Sequence, residues 1–172
     1  AAYRGAKRSR NSFLLGNPSD ARNAGAILCL RMVSYGHTDL ILAIDVTPDG
    51  RKVVSASKDN TLRVWDIEQG CALYTLTGHN GRVNAVAVTP NGRKAVSASW
   101  DRTIKVWDLE RGIELNCLAG HVGWVNALAI TPDGRKVISA SDDRTLKVWD
   151  LENGLILGTL RGHMYGVTAV AI

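Results

Sequence analysis

The sequence predicts an all-β fold: an incomplete β-propeller of about three four-stranded antiparallel blades, with partial strands at its edges. Three observations predict it. From His37 onward the chain repeats itself every 42 residues, with Gly-His at Gly36-His37, Gly78-His79, Gly120-His121 and Gly162-His163, and Trp-Asp at Trp65-Asp66, Trp107-Asp108 and Trp149-Asp150. A fixed period of about 40–45 residues bracketed by these dipeptides is the length of one propeller blade. Pro and Gly punctuate each repeat about every ten residues, which leaves no room for long helices. The runs between them are short and rich in Val, Ile, Ala, Thr and Trp, as strands are.

The elements follow in order. Residues 1–25 are rich in Arg, Ser, Asn, Gly and Ala without a period, and read as a basic flexible tail or linker. The partial propeller spans 26–172. Its first piece, 26–36, contains a short apolar run (AILCLRMVS, 26–34) at the offset of a blade's outer strand, with no Trp-Asp before it. Three repeats follow at 37–78, 79–120 and 121–162, and 163–172 begins a fourth. In the second repeat, VNAVAV (83–88) is the first strand and Thr89-Pro90-Asn91-Gly92 a turn, with φ fixed by Pro and positive φ accepted by Gly. Residues 93–99 form the second strand, Trp100-Asp101-Arg102 a tight turn, 103–109 the third strand, Glu110-Arg111-Gly112 a turn and 114–118 the fourth strand. By the same logic 166–172 supplies an innermost strand of the next blade. Three blades are too few to close a typical ring. The chain therefore reads as part of a longer protein, one that self-associates through open blade edges if left unclosed.

Charge and cysteine usage narrow the function classes. Of the 21 basic and 16 acidic residues, the excess sits in residues 1–36, and the repeats are neutral. Arg4, Lys7, Arg8 and Arg10 could touch nucleic acid or anionic lipid, but without aromatic interleaving they read as a solvated tail, so nucleic acid is not expected as a partner. Cys29, Cys71 and Cys117 form no CxxC, which argues against a zinc site and a disulfide framework and fits a reducing, cytoplasmic setting. No apolar run approaches a membrane span. No metal, cofactor or membrane is expected.

One recurring set looks like chemistry: His37, Ser55, Asp59 and Trp65; His79, Ser97, Asp101 and Trp107; His121, Ser139, Asp143 and Trp149. Ser, His and Asp together suggest a hydrolase, yet a catalytic site has no reason to recur in every blade, and no Gly-x-Ser-x-Gly elbow is present. A structural role fits better. A buried indole N–H needs an acceptor, Ser can accept it and donate onward, and imidazole can accept from Ser and donate to Asp. These tetrads, with TPDGRK and SAS at their offsets, resemble the WD40 repeat family over 36–172, and its bacterial tandem arrays in particular. The resemblance implies a first strand lining a central channel, a fourth on the outside, and ring closure between N- and C-terminal strands. It also implies a non-catalytic scaffold for protein partners, or a sensor segment of a larger signalling ATPase or kinase.

What does not repeat is where partner binding can reside. Trp100 stands where the other copies have Lys58 and Asp142, and Trp124 where they have Leu40, Arg82 and Gly166. In the family, the residue before the turn Asp and those three and five positions after the His lie on the top face. The resemblance thus carries partner contact to Lys58, Trp100 and Asp142, to Leu40, Arg82 and Trp124, and to Leu42, Asn84 and Asn126. Arg63, Lys105 and Lys147 form a basic row on the third strands and read as solvated stems.

Overall fold

Proline and glycine divide each repeat into four short extended runs, and the computed structural model, which describes residues 36–172, folds each repeat into one sheet. The tail (1–25) and the outer strand expected at 26–34 lie outside the described residues. The first sheet holds β1 (Ile41–Val46), β2 (Lys52–Ser57), β3 (Leu62–Asp66) and β4 (Cys71–Leu76). The second holds β5 (Val83–Val88), β6 (Lys94–Ser99), β7 (Thr103–Asp108) and β8 (Ile113–Ala119). The third holds β9 (Val125–Ile130), β10 (Lys136–Ser141), β11 (Leu146–Asp150) and β12 (Ile156–Leu160). All pairings are antiparallel and sequential, and no helix occurs among the described residues.

The turns form for the reasons their residues suggest. In the Thr-Pro-Asp-Gly turn of the first blade, Gly50 donates its amide to the Thr47 carbonyl at 2.8 Å and takes φ +69°, a value that suits glycine. Thr47 Oγ1 donates to Asp49 Oδ1 at 2.6 Å and accepts the Lys52 amide at 3.0 Å, so the side chains close what the backbone begins. The second turn is less expected. Asn60, Arg102 and Arg144 take φ of 69°, 72° and 68°, a left-handed conformation imposed on non-glycine residues at the same column of every blade.

Alternation along the third strand joins the blades. On β7, Ile104 and Val106 face one way and Trp107 the other. Trp107 is buried with Val54, Leu62, Val64 and Leu76 of the first sheet, while Ile104 and Val106 are buried with Leu128, Val137 and Trp149 of the third. The tryptophans of the second and third blades thus complete the core of the blade before each. The inner strands lie side by side: the Val88 amide of β5 donates to Asp45 Oδ2 of β1 at 2.7 Å, and Asn84 Nδ2 of β5 donates to the Val125 carbonyl of β9 at 3.2 Å.

Two expectations need correction. Residues 166–172 form no strand. The Val167 amide bonds the Ser141 carbonyl and its carbonyl accepts from Asn126, but no second described strand runs beside the segment to build a ladder. The basic row is not solvated either: Lys105 and Lys147 are buried and Arg63 is half-buried, because side chains of the fourth strand lie over the two lysines. Lys105 Nζ makes two bonds to the Glu114 carboxylate at 2.7 and 2.8 Å, Lys147 Nζ donates to Thr159 Oγ1, and Arg63 lies 6.0 Å from the centre of the Trp65 ring. Among the cysteines, Cys117 is a free thiol.

Candidate functional site

All three tetrads form, with nearly superimposable geometry. Trp65, Trp107 and Trp149 each donate Nε1–H to the Oγ of Ser55, Ser97 and Ser139 at 2.8 Å. Each serine donates to a histidine Nε2 at 2.7, 2.8 and 2.7 Å. The opposite ring nitrogen, Nδ1–H, donates to Oδ2 of Asp59, Asp101 and Asp143 at 2.9, 2.7 and 2.6 Å. The order Ser–His–Asp is that of an acyl-transfer triad, but the chemistry is blocked. Every serine is buried, and its oxygen lies between an indole N–H and an imidazole, with no room for a substrate carbonyl.

The assembly is larger than four residues. Thr61, Thr103 and Thr145 donate both Oγ1 and backbone amide to the aspartate's Oδ1, and Ser57, Ser99 and Ser141 accept the aspartate's own amide. Sequence reasoning missed both residues. They repeat in every copy, but Thr and Ser in a β-rich repeat read as strand formers.

The carboxylates are strongly held. Burial alone would raise the Asp59, Asp101 and Asp143 carboxyls. Hydrogen bonds from the threonines, the histidines and the amide after each histidine outweigh it, so all three lie well below the ordinary value, Asp143 at about 2. Burial also lowers His121 below the usual histidine value, although Asp143 opposes the shift.

The non-repeating residues assemble differently. Trp100, in the β6–β7 turn, and Trp124, entering β9, stack face to face with ring centres 3.9 Å apart and planes 5° apart. The Arg82 guanidinium lies 3.1 Å from the centre of the Trp100 ring, so the order is Arg82, Trp100, Trp124. Trp100 Nε1 and Arg82 Nε are buried with no hydrogen-bond partner. Trp124 is 45% exposed. Beside the stack, a cleft of about 680 Å³ between the second and third blades is lined by both tryptophans, Asp101, Arg102, Lys105 and Asp142 among others.

The other sequence-predicted contact residues fall elsewhere. Asn84 and Asn126 are engaged in ties between neighbouring inner segments, and Asn126 also donates to Asp142 Oδ1 at 2.6 Å. Leu40, Leu42 and Lys58 are exposed on the first blade and do not line the cleft. Lys58 returns its amide to the Leu40 carbonyl and its ammonium lies 3.9 Å from Asp39. Val122, Arg102 and Cys117 do line the cleft and were missed. They occupy non-repeating columns, a signal present but shared with many loop residues.

Comparison with known proteins agrees with this geometry. The model of the WD domain, G-beta repeat, matches residues 28–66, 70–108 and 112–150. The small ribosomal subunit protein RACK1 of Schizosaccharomyces pombe is 40% identical over 47 residues, 27% of this chain and 15% of its own. The U3 small nucleolar RNA-associated protein 21 of Saccharomyces cerevisiae is 50% identical over 36 residues, 21% of this chain and 4% of its own. The solved structure of U3-55K superposes with a TM-score of 0.74 at 29% identity, covering 77% of this chain and 42% of that one. The chain therefore spans less than half the length of these relatives. They are eukaryotic and lend no support to a bacterial origin, and one is named for association with RNA, which leaves the exclusion of nucleic acid unsupported. Three tetrad-bearing blades, a family model matched in each of them and a superposable propeller lead to one conclusion: the chain belongs to the WD40 repeat family.

Proposed function

We propose that this array is a non-catalytic scaffold that holds a protein partner against the Arg82–Trp100–Trp124 stack and the cleft beside it. The stack is the observation that supports this most directly. A tryptophan with one ring face covered and nearly half its surface open is costly to keep for folding alone, and tryptophan and arginine are the residues that most often anchor interfaces. The unpartnered Trp100 and Arg82 nitrogens add a cost of about 1–3 kcal/mol each, which sister blades avoid by using other residues there. Recovery of a partner on the immobilised chain, followed by titration of Trp100→Ala and Trp124→Ala, tests the reading. The expected loss is about 2 kcal/mol or more of binding. Equal affinity in both variants would place the site elsewhere.

A second reading rests on the exposed apolar residues of β1 (Ile41, Leu42, Ile44, Val46) and β12 (Ile156, Leu157, Leu160). We propose that further propeller surface covers them, either more blades of a longer signalling protein of the bacterial-array type or a second copy of this chain. The length of the surrounding gene and light scattering of the 172-residue chain distinguish the two.

A further inference from the structure

We infer that the outer face of Trp124 takes an arginine side chain of the partner, its guanidinium lying flat on the indole and its charge met by Asp142. The inference rests on the partner-site reading above and names the chemistry recognised there. Trp100 covers one face of Trp124 at 3.9 Å, yet Trp124 keeps 45% of its surface, so the open area belongs to the opposite face and the ring edge. At the far end of the same stack the chain's own Arg82 occupies the equivalent position on Trp100, 3.1 Å from the ring centre. The stack already accepts a planar cation at one end, and the other end is open.

Charge around the cleft points the same way. Arg82, Arg102 and Lys105 balance Asp101, Asp142 and Glu114 in number, but Glu114 is committed to Lys105 and Asp101 to His79 and Thr103, so Asp142 is the carboxylate beside the stack that is left to meet a further cation. Asp142 is tied to the stack, since its amide donates to the Trp124 carbonyl at 2.9 Å. Its Oδ1 accepts from Asn126, which leaves Oδ2 without a donor among the described residues. A guanidinium suits this place better than an ammonium, because it is planar, weakly hydrated and carries several donors. A nucleobase could also stack, but it would bring phosphate up to the uncommitted Asp142 carboxylate.

The test uses short Gly-Ser peptides with a central Arg, Lys, citrulline or Glu, titrated against the 172-residue chain by tryptophan fluorescence, with an oligouridine in parallel. The arginine peptide should bind saturably, the lysine peptide about threefold or more weaker, and the citrulline and glutamate peptides about tenfold or more weaker. Asp142→Asn, which removes charge and leaves the stack, should weaken the arginine peptide about fivefold and leave the citrulline peptide unchanged. Trp124→Ala should abolish the preference for arginine over citrulline. Equal binding of arginine and citrulline peptides, no saturable arginine binding, no effect of Asp142→Asn, or preference for the oligouridine would each overturn the inference. If the inference fails while a recovered protein partner still depends on Trp124, the partner-site reading stands and only the arginine assignment falls.

Discussion

Two pairs of tryptophans in this chain are treated in opposite ways. Trp107 and Trp149 are 1% exposed, each packed on the preceding blade with its N–H given to a serine. Trp100 and Trp124 sit a few residues from the tetrad aspartate and histidine in sequence, yet Trp100 leaves its N–H unpartnered and Trp124 leaves a ring face open. The first pair repeats in every blade and the second does not. The difference teaches that a residue's recurrence, and not its chemical type, separates what a blade needs to fold from what this chain adds to it. It also sets energetic expectations, since the first pair should govern melting and the second binding.

The largest effect should come from breaking a tetrad. Asp101→Ala leaves His79, Thr103 and the Asn80 amide without their acceptor and should cost on the order of 2–4 kcal/mol. Chemical denaturation of the variant checks this, and an unchanged midpoint would show that the network contributes nothing net. Acid should strain the same network in two stages. His121 lies below its ordinary 6.5, so its contribution is complete above that value and declines as pH falls past it. Asp143 lies at about 2 against an ordinary 3.8, so its contribution is complete above 3.8 and disappears as pH falls toward 2. Amide exchange of β9–β12 from pH 7 to pH 2 should show both stages, and flat protection down to pH 3 would contradict them.

Smaller effects sharpen the contrast. Trp124→Ala should lower stability by less than about 1 kcal/mol, because its indole covers Trp100 and joins neither core cluster. A loss comparable to that of Asp101→Ala would make Trp124 part of the blade core. The smallest effect should be a gain. Arg144 holds φ at +68°, and Arg144→Gly removes a left-handed penalty of about 1 kcal/mol, partly offset by the flexibility glycine adds to the unfolded chain. A small rise in melting temperature is expected, and a fall would mean that the Arg144 side chain makes a contact worth more than its backbone strain.

The strands and tetrads were legible in sequence for definite reasons. Pro48, Gly50 and their counterparts fix turns locally, and a chain of His, Ser, Asp and Trp at constant offsets has few other ways to satisfy its polar atoms. The extended network was not legible, because Thr103 and Ser99 carry no mark that separates a hydrogen-bonding role from β propensity. Lys105 was misread for a related reason: its burial depends on Glu114 in the next strand, a partner set by sheet register and not by spacing. The segment 166–172 shows a further limit. Its pattern is that of a strand, but a strand is a relation between two segments. The Trp100–Trp124 stack lies between, since both residues stood out as exceptions while their face-to-face contact depends on how two blades meet.

The backward placement of each tryptophan has a consequence for how the molecule is made. Trp107 seals the first sheet and Trp149 the second, so a sheet leaving the ribosome is capped by the repeat synthesised next after it. A growing chain therefore adds no uncovered apolar face with each new repeat, and only its first and its latest blade stay open. Gene duplication inherits the same economy, because a copied repeat arrives already carrying the plug for its predecessor and the socket for its successor.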